Sequence, residues 1–130
     1  MRRIMVILLM IAGLGSYWWE RTYEPVRVIR AQLEAIDDGR YPQAYNYLSS
    51  MAKERLPFQE FVALIQANSV VMETRDTSFA SRAIDGTTAA ISGVLTGYSP
   101  FASDANYTLV QEDGQWRIQS FQWGNPRRCE

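Results

Sequence analysis

The side chains able to do chemistry are few, and their spacing scatters them. The 130 residues include no histidine and a single cysteine, Cys129. These counts exclude a Ser-His-Asp triad, a Cys-His dyad, a Cys/His zinc site and an intramolecular disulfide. Cys129 has no histidine to activate it. General acid–base work would have to come from carboxylates or tyrosines. Asp37, Asp38, Asp85, Asp104 and Asp113 fall where turns or helix ends are expected, and an aspartate there bonds local backbone. Asp37 and Asp38 are adjacent and precede a glycine, which is not the alternating ligand pattern of a calcium loop. Glu34 lies off the apolar stripe of its helix. Glu60 lies in a first helical turn, where negative charge suits the dipole. Glu73 and Asp76 are left without a structural role; an acid at the mouth of an apolar pocket could act as a base if burial raised its pKa. The expectation is no catalytic residue, no metal ligand and no cofactor.

The elements that position these groups follow from periodicity. Pro25 suits a first helical turn, and Val26, Ile29, Leu33 and Ile36 follow at spacings of three, four and three, one helical face. Asp37-Asp38-Gly39 ends that helix. Pro42 starts a second helix with Ala44, Tyr45 and Leu48 on its apolar face, closed by Ser49-Ser50. Tyr41, Tyr45 and Tyr47 form an aromatic patch in which Tyr41 and Tyr45 share a face and Tyr47 points elsewhere; core and rim packing is expected, with ligand lining or partner binding as the alternative. Pro57 starts a third, with Phe58, Phe61, Val62 and Ile65 inward and Asn68 as its stop.

After Asn68 the period becomes two. Strands are expected over 77–84, 87–98, 105–112 and 115–123, with hairpin turns at Asp85-Gly86 and Asp113-Gly114. The stretch 99–104 reads as a loop, and 70–75 as a further short strand. Tyr107 and Leu109 share a face, as do Trp116 and Ile118. Phe121 and Trp123 have the opposite parity, which implies a bulge near Gln119-Ser120 or two buried faces. Gly93 and Gly97 fit a sharp bend. Three helices packed on a curved antiparallel sheet of about four strands make an α+β fold. A sheet curled around the long first helix forms a cone. Tyr45, Phe61, Phe79, Tyr107, Trp116 and Ile118 are the candidates to line a pocket inside it.

The N-terminus reads as a membrane segment. Arg2 and Arg3 precede an apolar run over 4–14, and Trp18 and Trp19 follow. Residues 4–19 span about 24 Å as a helix, short for a ~30 Å hydrocarbon core. Arg2 and Arg3 can snorkel at one interface while Trp18 and Trp19 sit in the other. An uncleaved transmembrane helix over 1–19 is expected, with the N-terminus in the cytoplasm and the soluble domain on the periplasmic side. Cleavage after a signal peptide, using Gly13 and Gly15, is the alternative and would leave a secreted or periplasmic chain. A linker over 20–24, a domain over 25–124 and a polar tail over 125–130 complete the division. Without Arg2 and Arg3 the chain has 11 basic and 14 acidic residues, a net charge of −3. With no basic cluster beyond Arg127-Arg128, this argues against nucleic acid as the partner.

The runs Val26–Gly39, Tyr41–Ser49, Leu56–Phe61 and Asp-Gly-Gln-Trp-Arg-Ile-Gln-Ser-Phe-Gln-Trp over 113–123 resemble the nuclear-transport-factor-2-like superfamily, the cystatin-like α+β cones. These motifs are similar to those of exported bacterial members of unknown function. The resemblance implies the cone fold. Enzymes of that superfamily, ketosteroid isomerase and scytalone dehydratase among them, use Asp, Tyr and often His in the pocket; this chain departs from that pattern. The expected role is a membrane-tethered, extracytoplasmic, non-catalytic interaction or assembly module, held by its N-terminal helix and bound to a protein partner or a second copy of itself. The alternative is a small apolar ligand-binding protein or enzyme using the interior of the cone.

Overall fold

The computed structural model describes residues 23–72, 74–97, 101–125 and 127–128. The expected anchor with Arg2, Arg3, Trp18 and Trp19 lies outside these residues, as do Glu73 and Cys129. Among the described residues, no helix is long and apolar enough to cross a membrane.

Helix α1 (23–37) buries the expected stripe, with Val26, Ile29, Leu33 and Ile36 each at most 3% exposed. Each such side chain removed from water contributes roughly 1.5–3 kcal/mol. The chain is already helical at Tyr23 and Glu24, inside the expected linker. Gly39 ends the helix with φ +75°, its N–H bonding the Ile36 carbonyl while that of Arg40 bonds Ala35, which satisfies two otherwise orphaned carbonyls.

Helix α2 (Tyr41–Asn46) carries Pro42 in its first turn and stops before Ser49. Ser49 does not close a helix, as its Ser-Ser context suggested. It caps α3 (Ser50–Arg55), its Oγ accepting from the Ala52 N–H at 3.1 Å. Leu48 is drawn out of the helical path by a parallel bridge to Ile118: Ser49 N–H donates to Ile118 O at 2.9 Å and Ile118 N–H to Tyr47 O at 2.8 Å. Helix α4 (Phe58–Ala67) turns Phe61 and Ile65 inward. Helix α5 (Ser69–Met72) takes the first half of the stretch expected as a short strand over 70–75, whose last residues, Thr74 and Arg75, begin a strand; the fully buried Met72 ties α5 to the core.

Strands β1 (Thr74–Asp85), β2 (Thr88–Gly97), β3 (Phe101–Glu112) and β4 (Gln115–Trp123) form an antiparallel sheet in that order. A two-residue β5 (Arg127–Arg128) pairs with Phe101 and Ala102. The stretch from 101 to 104, expected as loop, is therefore strand, because β2 on one side and β5 on the other satisfy its backbone. The end of the chain, expected as a polar tail, contributes this last strand, and Arg127 pairs with the exposed Asp104 at 3.1 Å.

Three register shifts interrupt the sheet, one of them between Thr74 and Asp76 at the start of β1, and the other two bear on the core. Thr108 pairs with Ser120 but Leu109 with Ile118, leaving Gln119 as the extra residue and turning both Ile118 and Phe121 toward the helices. On β1, Ser78 faces Val94 and Ser81 faces Ser92, so Phe79 and Ala80 together oppose Gly93. Asp113 (φ 52°) and Gly114 (φ 78°) form the two-residue turn between β3 and β4, the left-handed pair that a tight hairpin needs.

Candidate functional site

Four of the six interior candidates belong to the core. Phe61, Phe79, Tyr107 and Ile118 are each at most 3% exposed and join one continuous apolar cluster with α1 and the inner face of the sheet. Phe79 meets Tyr107 edge-on at 6.1 Å between ring centres, and Tyr107 lies 6.5 Å from Phe121, which stacks on Trp123. The Tyr107 hydroxyl accepts from the Trp123 indole N–H at 3.0 Å. Burial pushes this phenol far above its usual pKa, and the Trp123 hydrogen bond offsets only part of the effect. Tyr45 is half-buried and faces Phe58 and Phe61, with its hydroxyl shared between the carbonyls of Lys53 and Leu56. Its role is to hold α3 and α4 against α2.

Trp116 stands apart. It pairs in register with Gln111, two residues beyond the Leu109–Ile118 pair and on the same face of the sheet. Trp116 is half-buried, packed against the edge of the core, and lines a cleft of about 510 Å³. The opposite wall is α1, through Glu24, Arg27, Val28 and Ala31, at spacings of three, one and three. Tyr47 enters between them, and Gln115 and Arg117 close the hairpin side. A neighbouring hollow of about 300 Å³ shares Gln115 and Arg117 and adds Ser50, Lys53, Glu112 and Asp113.

Several of these groups are fixed. Arg117 donates to the Asn46 carbonyl and to Gln115 Oε1, both at 2.7 Å. The Glu112 carboxylate accepts the Ser50 N–H at the start of α3 at 2.9 Å. Arg27 pairs with Glu24 at 3.3 Å on the open surface, a contact contributing little. Tyr47, Trp116 and Gln111 line the cleft, and among the described residues the Tyr47 hydroxyl, the Trp116 indole N–H and the Gln111 amide make no hydrogen bond to protein.

Of the two acids left without a structural role, Glu73 lies outside the described residues. Asp76 is exposed and bonds the adjacent Thr77 N–H at 2.9 Å. Among the described residues, no group of three or more Asp, Glu or Cys side chains could hold a metal ion. Two arginines gather about Phe79. Arg30 sits 5.9 Å above the Phe79 ring and donates to Thr77, and Arg82 donates to the Phe79 carbonyl at 2.7 Å. Burial, and then the charge of Arg30, lowers the Arg82 pKa from its usual value.

Glu24, Arg27, Gln111, Gln115 and Arg117 escaped the sequence reading as site residues, whereas Tyr47 is legible there as part of the Tyr41, Tyr45 and Tyr47 aromatic patch. The available signal was the α1 stripe beside the core stripe, and an aromatic one register step past the last core pair.

A likeness among solved structures bears on the fold. A crystal structure from Campylobacter jejuni, provisionally described as an NTF2-like transpeptidase, aligns with a TM-score of 0.53 at 13% identity, over 74% of this chain and 97% of that one. The fold is thus the NTF2-like α+β cone, as the sequence resemblance implied. Residues 21–129 match a family described as Domain of unknown function (DUF4864), and the chain belongs to that family. No curated protein is significantly similar to it.

Proposed function

We propose that the protein is a non-catalytic binding module, tethered to the cytoplasmic membrane by its N-terminal segment, with the NTF2-like domain on the extracytoplasmic side. The observation that carries this reading is where side chains are committed. Phe79, Tyr107 and Ile118 are packed into the core, whereas the open, polar-aromatic cleft lies outside it, between α1 and the β3–β4 hairpin. A cleft of this size with a few fixed polar groups suits recognition. Apart from Glu24, which pairs with Arg27 on the open surface, its lining offers amide, phenol, indole and guanidinium groups suited to hydrogen bonding rather than to proton abstraction. The tether is supported by Arg2-Arg3, the apolar run over 4–14 and Trp18-Trp19. The cleft begins at Glu24 and Arg27, so a tethered domain would hold it close to the bilayer.

Mass spectrometry of the chain extracted from washed membranes tests the tether. An intact chain beginning at Met1 is expected. A soluble chain beginning near Ser16 or Tyr17 overturns it.

A further inference from the structure

We infer that the Trp116 cleft is a carbohydrate site and that its ligand is a glycan chain. The inference rests on the binding-module reading above and names the ligand class. A sugar ring has an apolar C–H face and a rim of hydroxyls, each both donor and acceptor. Binding it takes a flat aromatic that sheds water from the C–H face, flanked by planar polar groups that match the rim. The cleft supplies this set. Trp116 and Tyr47 offer half-buried rings, and their N–H and O–H are unspent. Gln111, in register with Trp116, offers an amide that can donate and accept at once. Arg117 is held by the Asn46 carbonyl and Gln115, so it is set in place before a ligand arrives.

The extent of the surface points to a chain rather than a single sugar. The cleft and its neighbour meet at Gln115 and Arg117, giving two adjoining compartments. The second compartment is lined by polar and charged side chains apart from Leu48, so it has no apolar sockets for the side chains of a bound peptide. Across both compartments Arg27, Lys53 and Arg117 balance Glu24, Glu112 and Asp113. A polyanion would need an excess of cations; a neutral, polyhydroxylated chain does not.

The test uses the full chain in mild detergent. Chitotriose, cellotriose and maltotriose are titrated by calorimetry and by saturation-transfer NMR, up to about 10 mM, a range that captures weak affinities. At least one should bind saturably. Trp116→Ala should weaken it at least about tenfold, a 1.4 kcal/mol step. Arg27→Ala changes an exposed side chain, so it keeps the fold, and should weaken binding about threefold. Gln122→Ala, on the exposed face of β4, should leave binding unchanged. No binding by any of the three sugars overturns the inference, as does binding that Trp116→Ala and Arg27→Ala leave intact. A photo-crosslinker at Gln115 that captures a protein chain in cells, with no sugar binding, also overturns it while leaving the binding-module reading standing. Release of the chain from the membrane with sugar binding retained would instead sink the tether alone.

Discussion

A side chain at position 93 would collide with Ser78: a Cβ built on Gly93 falls 1.8 Å from the Ser78 carbonyl oxygen and 2.8 Å from the Phe79 Cα. The contact is backbone on both sides and cannot be relieved by a rotamer change. It arises because two residues of β1 oppose Gly93 in the bulge, bringing β1 over β2. The bulge turns Phe79 inward, and its carbonyl is taken by Arg82. Gly93→Ala should therefore cost about 3 kcal/mol or more, at the upper end for overpacking, or abolish folding. Urea midpoints decide it. A loss below about 1 kcal/mol would mean that the strands do not cross this closely.

Ser49 joins two parts of the molecule through one oxygen. Its Oγ caps α3 by accepting from Ala52 and donates to Gln119 Oε1 at 2.7 Å, on the bulged residue of β4. Ser49→Ala removes the cap and leaves a partly buried amide oxygen short of a donor. The expected loss is about 1–2 kcal/mol. It should appear as a lower urea midpoint with an unchanged slope. A neutral substitution would show that Gln119 and the α3 N-terminus find other partners.

The α1 stripe, Gly39, the Asp113-Gly114 turn and the Gln119 bulge are legible because each rests on local chemistry, while the first hairpin turns one residue later than expected, at Gly86-Thr87, with Asp85 still paired to Thr88. A period of 3.6, a left-handed glycine or an inversion of parity can be read within ten residues. The errors occur where distant partners decide. Ser49-Ser50 reads equally as a helix stop or a cap, and the Leu48–Ile118 bridge chooses the cap. Residues 101–104 have the composition of a loop, yet pairing on both sides makes them strand. The cleft draws on Glu24 to Ala31, Tyr47 and Gln111 to Arg117, three segments joined only by folding. Among the earlier pocket candidates, Trp116 is the one on it.

Tyr107 makes stability sensitive to alkali. Burial holds its phenol protonated to a pH well above the ordinary tyrosine pKa of about 10. Below about pH 9 the folded and unfolded chains both keep this proton, and its contribution to stability is complete. As pH rises through about 10 the unfolded chain releases the proton while the folded chain retains it, so stability falls by up to about 1.4 kcal/mol per pH unit. Tyr107→Phe removes this titration and should give a shallower decline of the urea midpoint between about pH 9 and pH 11. Its small cost at neutral pH reflects the lost Trp123 hydrogen bond. Identical alkaline slopes for the two proteins would show that Tyr107 is open to water.

Trp116 and Ile118 should separate sharply although they lie two residues apart on one face of β4. Ile118 is fully buried against the helices, and its backbone is bonded to Tyr47 and Ser49. Ile118→Ala removes packed volume where the surroundings are held from several sides, and should cost about 2–5 kcal/mol. Trp116 is larger, but it is half-buried at the edge of the core and lines the cleft. Water can occupy the space left by Trp116→Ala, so the cavity penalty is largely absent and the cost should be about 1–2 kcal/mol. The larger side chain thus gives the smaller loss, the reverse of what residue size alone implies. Urea midpoints for the two variants measure the difference. A Trp116→Ala loss matching or exceeding that of Ile118→Ala would place Trp116 inside the core and close the cleft proposed to bind the glycan.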